Sequence, residues 1–112
     1  MKVSYLMEES VTVRNEKGSS RKTDPNCKTW IKHWENYSGK KANSCSIKGC
    51  KETDDLVGAH VLRPYAKNED YKKHPYIIPM CDTHNGKSHE EEQTTKPNTT
   101  FVWANVSETC GE

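Results

Sequence analysis

The chain has 112 residues, 31% of them hydrophobic, and its 17 basic and 16 acidic residues nearly cancel. This length predicts one domain, and the near-neutral charge excludes a general electrostatic attraction to nucleic acid or to anionic membranes, so that such binding would need a local patch. The low mean hydropathy of −1.06 indicates disordered ends or a staple such as a metal ion or disulfides.

The chain shows no sign of a membrane segment or of secretion. No apolar run approaches membrane-spanning length, and the N-terminal "MKVSYLMEESVTV" has no apolar signal core. We therefore expect a soluble, cytoplasmic protein with no membrane partner.

Residues 1–23 form an N-terminal segment in this interpretation, and residues 24–112 form a single domain. The alternating "SVTVR" predicts an edge strand, and the polar "NEKGSSRKTD" predicts a flexible linker.

A helix is predicted next, with Asp24 as its cap, Pro25 at its first position and Gly39 at its end. The helix has an apolar stripe that consists of Trp30, Ile31, Trp34 and Tyr37. Such a stripe is typical of a helix packed on a small core, and we favour this interpretation over a base-stacking surface. His33 is expected on the flank of this helix without a special role.

The rest of the chain predicts strands separated by polar loops. The strands are "LVGAHVLR", stopped by Pro64, then "YIIPM" and "TTFVWANV", and a short helix is predicted over "CDTHNGKSHEEEQ" despite Gly86. Phe101 and Trp103 share a face of the last strand and are expected in the core, the alternative being an exposed patch for a protein partner. The fold class is therefore α+β.

The chain has five cysteines, and their spacing indicates a metal site. In a reducing compartment closely spaced cysteines are more often metal ligands than disulfides, and an odd count argues against a pure disulfide framework. Cys45 and Cys50 enclose a tight turn with Gly49, whereas Cys81 and His84 lie where a strand meets a helix. These four residues predict a closed, tetrahedral Cys3His zinc site.

The ligand order, a pair on a knuckle, a hairpin and a pair at a helix start, is that of a small treble-clef zinc domain. The fourth ligand could instead be Cys110, and the role of Cys27 stays open.

Three polar residues lie close to this set in sequence. His60 shares a strand face with Gly58 and Leu62, while Asn85 and His89 share a face if the helix continues past Gly86. If the hairpin folds onto that helix, His60, Asn85 and His89 meet around one open site.

The segments "GAHVLRP" and "YIIPMCDTHNGKSH" together resemble the ββα-metal core of the HNH endonucleases, over residues 45–89. The resemblance implies that His60 is the general base, that Asn85 and His89 hold a catalytic divalent ion, and that the four zinc ligands are structural. Such a site would hydrolyse a phosphodiester of DNA or RNA, with Mg²⁺, Mn²⁺, Ni²⁺ or Zn²⁺ as the second cation.

The chain departs from that family's pattern at two positions. Ala59 stands where family members often have an acidic metal ligand. The asparagine that orients the general base in the middle of the family's motif is also missing here, unless Asn68 substitutes for it. The run "EEE" at 90–92 would also repel phosphate. Two further hypotheses therefore stand beside the nuclease: an inactive module of the same fold that binds nucleic acid or protein, and a small regulator or inhibitor stabilised by zinc. The sequence contains no feature that indicates the oligomeric state.

Overall fold

The computed structural model describes residues 4–16, 29–67, 72, 74–88 and 90–104. It confirms the α+β class: within these residues six antiparallel strands form one curled sheet, and two helices with described bounds accompany it. The elements are β1 (Ser4–Met7), β2 (Thr12–Asn15), α1 (Trp30–Ser38), β3 (Val57–Leu62), β4 (Tyr76–Met80), α2 (Asp82–Asn85), β5 (Glu92–Thr94) and β6 (Thr99–Trp103). Within these described ranges, neither helix has the length and apolar character needed to cross a membrane.

The N-terminal segment contributes two strands to this sheet. Its strand order is β1-β6-β4-β3-β2-β5, so that β1 lies at one edge and β2 lies inside, between β3 and β5. The strand predicted from "SVTVR" is therefore present as β2, but its predicted position at an edge is wrong. Alternate burial of Val13 and Asn15 is compatible with an edge or an inner strand, and β2 lies inside because β3 pairs with it on one side and β5, which was not predicted as a strand, pairs with it on the other. Most of the predicted linker lies outside the described residues.

Helix α1 begins five residues later than the sequence predicted. Thr29 caps it, since its backbone is extended and its hydroxyl accepts a hydrogen bond of 3.2 Å from the backbone N–H of Lys32. Asp24 is therefore not its cap, and residues 24 and 25 lie outside the described residues. Gly39 ends the helix in the left-handed conformation at φ 71°, as predicted.

The antiparallel pair β3–β4 divides the core into two sides. Ala59 and Val61 of β3 face a cluster that also contains Val13, Tyr76, Ile78, Met80 and Phe101. The opposite side is covered by α1, whose Trp34 packs against Ile77 and Val102. The apolar stripe of α1 is thus part of the core. Phe101 is fully buried on the first side, as expected.

The predicted helix over residues 81–93 is much shorter than expected. Helix α2 ends at Asn85, with Gly86 as its C-terminal cap, and Glu92–Thr94 forms strand β5 against β2. Gly86 gives α2 a natural end, and pairing with β2 fixes the extended conformation of Gln93, which is buried opposite Val13.

Candidate metal centre

The first ligand pair lies on a tight turn between α1 and β3. The backbone N–H of Cys50 donates to the carbonyl oxygen of Ile47 at 3.0 Å, and Gly49 has φ 83°, a conformation that a residue with a Cβ rarely adopts. Cys45 is tied to the far side of the turn, because its N–H donates to the carbonyl oxygen of Glu52 at 2.9 Å. These backbone bonds hold the two Sγ atoms on the same side of the turn.

The second pair lies where β4 meets α2. Cys81 is the N-cap residue of α2, but its side chain makes no capping hydrogen bond, which leaves Sγ for another partner. His84 follows one turn later, and the N–H of Asn85 donates to the carbonyl oxygen of Cys81 at 2.9 Å to close that turn. The start of α2 therefore brings thiol and imidazole together, as the spacing predicted.

The four donor atoms form one compact group, all within 4.8 Å of one another. The Sγ atoms of Cys50 and Cys81 are 3.9 Å apart, and Nδ1 of His84 lies 3.7 Å from Sγ of Cys45 and 3.2 Å from Sγ of Cys81. Tetrahedral zinc, with bonds of about 2.3 Å to sulfur and about 2.0 Å to nitrogen, separates its donors by roughly 3.5–3.8 Å. The cluster can thus hold a metal ion such as zinc.

The protein environment acts in opposite directions on the thiols of Cys45 and Cys50. Burial raises the pKa of Cys45 to about 11, whereas a backbone hydrogen bond from Glu52 lowers the pKa of Cys50. Because the thiolate is the form that binds metal, a cation at this centre would displace the thiol protons. A buried Cys45 thiolate without a cation would be costly, so its environment also fits a bound ion.

Two buried amides hold α2 in place, and the sequence analysis did not identify them. Nδ2 of Asn15 lies 2.9 Å from the carbonyl oxygen of His84 and 3.1 Å from the carbonyl oxygens of Asn85 and Lys87. Nε2 of Gln93 donates to the same carbonyl of His84 at 3.2 Å. Asn15 could have been found as the polar residue at an inward-facing position of the alternating "SVTVRN". Gln93 gave no such signal, because residues 81–93 read as helical.

His60 does not lie at an open site. It is 3% exposed, and its ring packs against Trp30 of α1 with centroids 4.3 Å apart and planes at 80°. His60 pairs with Ile77 on the side covered by α1, whereas α2 is bound by Asn15, which pairs with Val61 on the other side. The imidazole and α2 therefore lie on opposite faces of the sheet.

The other predicted catalytic residues have different outcomes. Asn85 is half-buried at the end of α2. His89 lies outside the described residues, and the argument that placed it one helical turn after Asn85 fails because α2 ends at Asn85. Cys27, Asn68 and Cys110 also lie outside the described residues. The catalytic assignment of His60, Asn85 and His89 stays a prediction.

His33 differs from its expected place on the flank of α1. It is fully buried, and its Nε2 lies 2.8 Å from the carbonyl oxygen of Trp103. Its ring also contacts Trp30 and Tyr37, with centroid distances of 5.1 and 4.9 Å. His33 therefore links α1 to the end of β6.

Comparisons with known proteins identify no relative, because no family model, no curated protein and no solved structure matches this chain.

Proposed function

We propose that the chain binds zinc through Cys45, Cys50, Cys81 and His84, and that the ion is structural. The observation that carries this proposal is the geometry of the donors, which all lie within 4.8 Å of one another at separations close to those of a tetrahedral site. Four protein ligands fill a tetrahedral shell and leave no position for a reacting water. Zinc with this ligand set is a structural ion in proteins.

The order of the elements supports a treble-clef interpretation of the centre. A turn with two ligands comes first, the antiparallel pair β3–β4 follows, and the second pair lies at the start of α2. A metal ion there would tie the loop after α1 to the end of β4. In a chain with so few hydrophobic residues, this cross-link would replace part of the missing core.

The proposed ligand set is tested by metal analysis of the purified protein and by replacing zinc with Co²⁺. We expect one zinc per chain and the visible d–d and thiolate charge-transfer bands of tetrahedral Co²⁺. His84→Ala should weaken these bands, whereas Cys110→Ser should leave them unchanged. The opposite result would make Cys110 the fourth ligand, and a chain without bound zinc would refute the proposal.

We further propose that the zinc-stabilised chain is a non-catalytic binding module. The burial of His60 beneath Trp30 supports this, because a general base must reach a water and the scissile phosphate. The HNH-like nuclease remains the second candidate, favoured by the resemblance of "GAHVLRP" and "YIIPMCDTHNGKSH" to that family.

A plasmid-nicking and RNA-cleavage assay separates the two candidates. Zinc-loaded protein is incubated with Mg²⁺, Mn²⁺, Ni²⁺ or additional Zn²⁺, beside His60→Ala and Asn85→Ala. We expect no metal-dependent cleavage by any of the three proteins. Cleavage by the wild type that disappears in His60→Ala would establish the nuclease and require the Trp30 contact to open.

A further inference from the structure

A groove of about 490 Å³ lies between the loop that follows α1 and the turn that precedes β6. Three lysines line it: Lys40, Lys41 and Lys96. Its other described lining residues are uncharged, and they include hydroxyl and amide groups such as those of Ser44, Asn98 and Thr99. The described part of the groove therefore carries three positive charges and no carboxylate.

The walls of the groove are held by hydrogen bonds. Nζ of Lys40 donates to Oγ1 of Thr100 at 2.7 Å, which fixes one ammonium group against β6. The N–H of Lys96 donates to the carbonyl oxygen of Ser46 at 2.8 Å, and the N–H of Ser46 donates to that of Pro79 at 2.9 Å. The lysine side chains thus project from a backbone frame that is joined to β4 and β6.

Three lysines that line one groove, with no carboxylate among its described lining residues, give it a positive charge that a multiply charged anion would neutralise. Phosphate groups are bound in this way by lysine together with hydroxyl and amide donors. The volume falls in the range of small-molecule sites, about 300–1,000 Å³. We propose that this groove binds a small phosphate-bearing molecule of nucleotide size, which gives the proposed binding module a ligand class and rests on that proposed function.

Charge distribution favours a small ligand over a nucleic-acid strand. A strand needs a basic track along the surface, because each backbone phosphate is neutralised by a separate contact. Without the three groove lysines the chain has 14 basic and 16 acidic residues. The rest of the chain therefore has a small net negative formal charge and offers no general electrostatic attraction to a long polyanion.

The groove also adjoins the metal centre. Cys45 lies in its wall, between Ser44 and Ser46, and is one of the four clustered ligands. A metal ion that fixes Cys45 would fix this wall. Phosphate binding should therefore be weaker in the metal-free chain than in the zinc-loaded chain.

The test titrates the full zinc-loaded chain with ADP and with inorganic phosphate, using calorimetry and ³¹P NMR at low ionic strength. Lys41→Ala and Lys96→Ala are compared with Lys32→Ala, which removes the same charge from α1 outside the groove, where Lys32 is 65% exposed and 3.6 Å from Glu35. We expect each groove substitution to weaken ADP binding about tenfold, and Lys32→Ala to change it less than about twofold. Lys41→Arg should retain binding.

A single-stranded 20-nucleotide probe, titrated in the same way, distinguishes a site for a small phosphate-bearing molecule from a site for a nucleic-acid strand. Binding of ADP or phosphate that depends on Lys41 and Lys96 supports the proposal. The proposal is overturned if neither small probe binds at millimolar concentration, if Lys32→Ala weakens binding as much as the groove variants do, or if only the 20-nucleotide probe binds. Metal analysis of every sample separates this result from the zinc proposal: zinc present without ADP or phosphate binding refutes the groove alone, and lysine-dependent binding without zinc refutes the metal centre alone.

Discussion

The Sγ atom of Cys81 and the Nδ1 atom of His84 lie 3.2 Å apart across the first turn of α2. A helix of only four residues has little stability of its own, because nucleation fixes several residues for each hydrogen bond gained. The closeness of these two donors therefore needs support from outside the helix. The buried amides of Asn15 and Gln93 provide it, and a metal ion held by the cluster would add to it.

Removal of the metal is the first prediction. We expect a strong zinc chelator to lower the stability of the chain by at least about 3 kcal/mol, because binding energy at a structural site is folding energy. For a domain of this size each kcal/mol corresponds to about 4–8 °C in Tm. Thermal unfolding with and without chelator measures the effect, and restoring zinc should restore Tm. An unchanged Tm in protein shown to have lost its zinc would contradict a structural role.

The second prediction concerns Asn15 as a positioning residue for α2. Asn15→Leu keeps the branched shape of the side chain but leaves the carbonyl oxygens of Asn85 and Lys87 without their amide donor, and that of His84 with the amide of Gln93 alone. We expect a loss of about 1–3 kcal/mol in unfolding free energy and a fall of about 10–100-fold in zinc affinity. Competition with a chromophoric chelator measures the affinity.

Thr12→Val serves as the control for this substitution, because Thr12 lies on the same strand but is not in contact with α2 through any of these bonds. It should change neither quantity appreciably. Equal zinc affinities for Asn15→Leu and the wild type would show that Asn15 does not position α2 for metal binding.

Local patterns predicted the grouping of the four candidate ligands and strand β4. Ligand identities and spacings are properties of short segments, so that Cys45, Cys50, Cys81 and His84 can be grouped from the order of residues alone. The run "YIIPM" is fully buried, and its continuous apolar character is visible in sequence. Each of these features depends on neighbours along the chain.

Features that depend on distant contacts were missed or misplaced. Strand β2 lies inside the sheet because it pairs with β3 and β5, and Asn15 is important because α2 lies above it. His33 gave no sign of its bond with Trp103, which is 70 positions away. The burial of His60 depends equally on the packing of Trp30 from α1. A sequence pattern reports periodicity along one element, and it does not say which element covers it.

The third prediction is a pH dependence at an exposed contact between β2, β5 and the loop after β3. The Tyr65 hydroxyl donates to Oε2 of Glu92, which Arg14 also binds at 2.9 Å. The bond from Tyr65, followed by that from Arg14, lowers the pKa of Glu92, and the bond to Glu92 raises the pKa of Tyr65. The contact therefore stabilises the fold at pH values between the lowered pKa of Glu92 and the raised pKa of Tyr65. Its contribution is lost as the pH falls through the lowered pKa of Glu92 or rises through the raised pKa of Tyr65.

Ultraviolet titration of tyrosine ionisation measures this effect. Glu92→Gln should lower the pKa of Tyr65 towards its ordinary value, and Tyr65→Phe identifies which tyrosine signal is affected. Glu90→Gln is a matched control, because Glu90 belongs to the same acidic run. A Tyr65 titration identical in wild type and Glu92→Gln would mean that the hydrogen bond does not persist in solution.

The last prediction concerns the close approach of α1 to β3 at Gly58. A Cβ built on Gly58 would lie 2.4 Å from the backbone carbonyl carbon of Trp30 and 2.5 Å from the backbone nitrogen of Ile31. Because those atoms belong to the helix backbone, Gly58→Ala must push α1 away from the sheet. We expect a cost of about 3 kcal/mol or more, at the upper end of overpacking effects.

Gly86→Ala is the matched control for this substitution, since Gly86 has a right-handed helical backbone and its nearest neighbour to a Cβ, the carbonyl oxygen of Asp82, would be 3.2 Å away. It should change stability by less than about 1 kcal/mol. Urea unfolding of both variants measures the difference. The same displacement would loosen Trp30 from His60, so that Gly58→Ala should also speed hydrogen exchange at the imidazole of His60. Equal stability of the two variants would show that α1 does not pack on β3 this closely in solution.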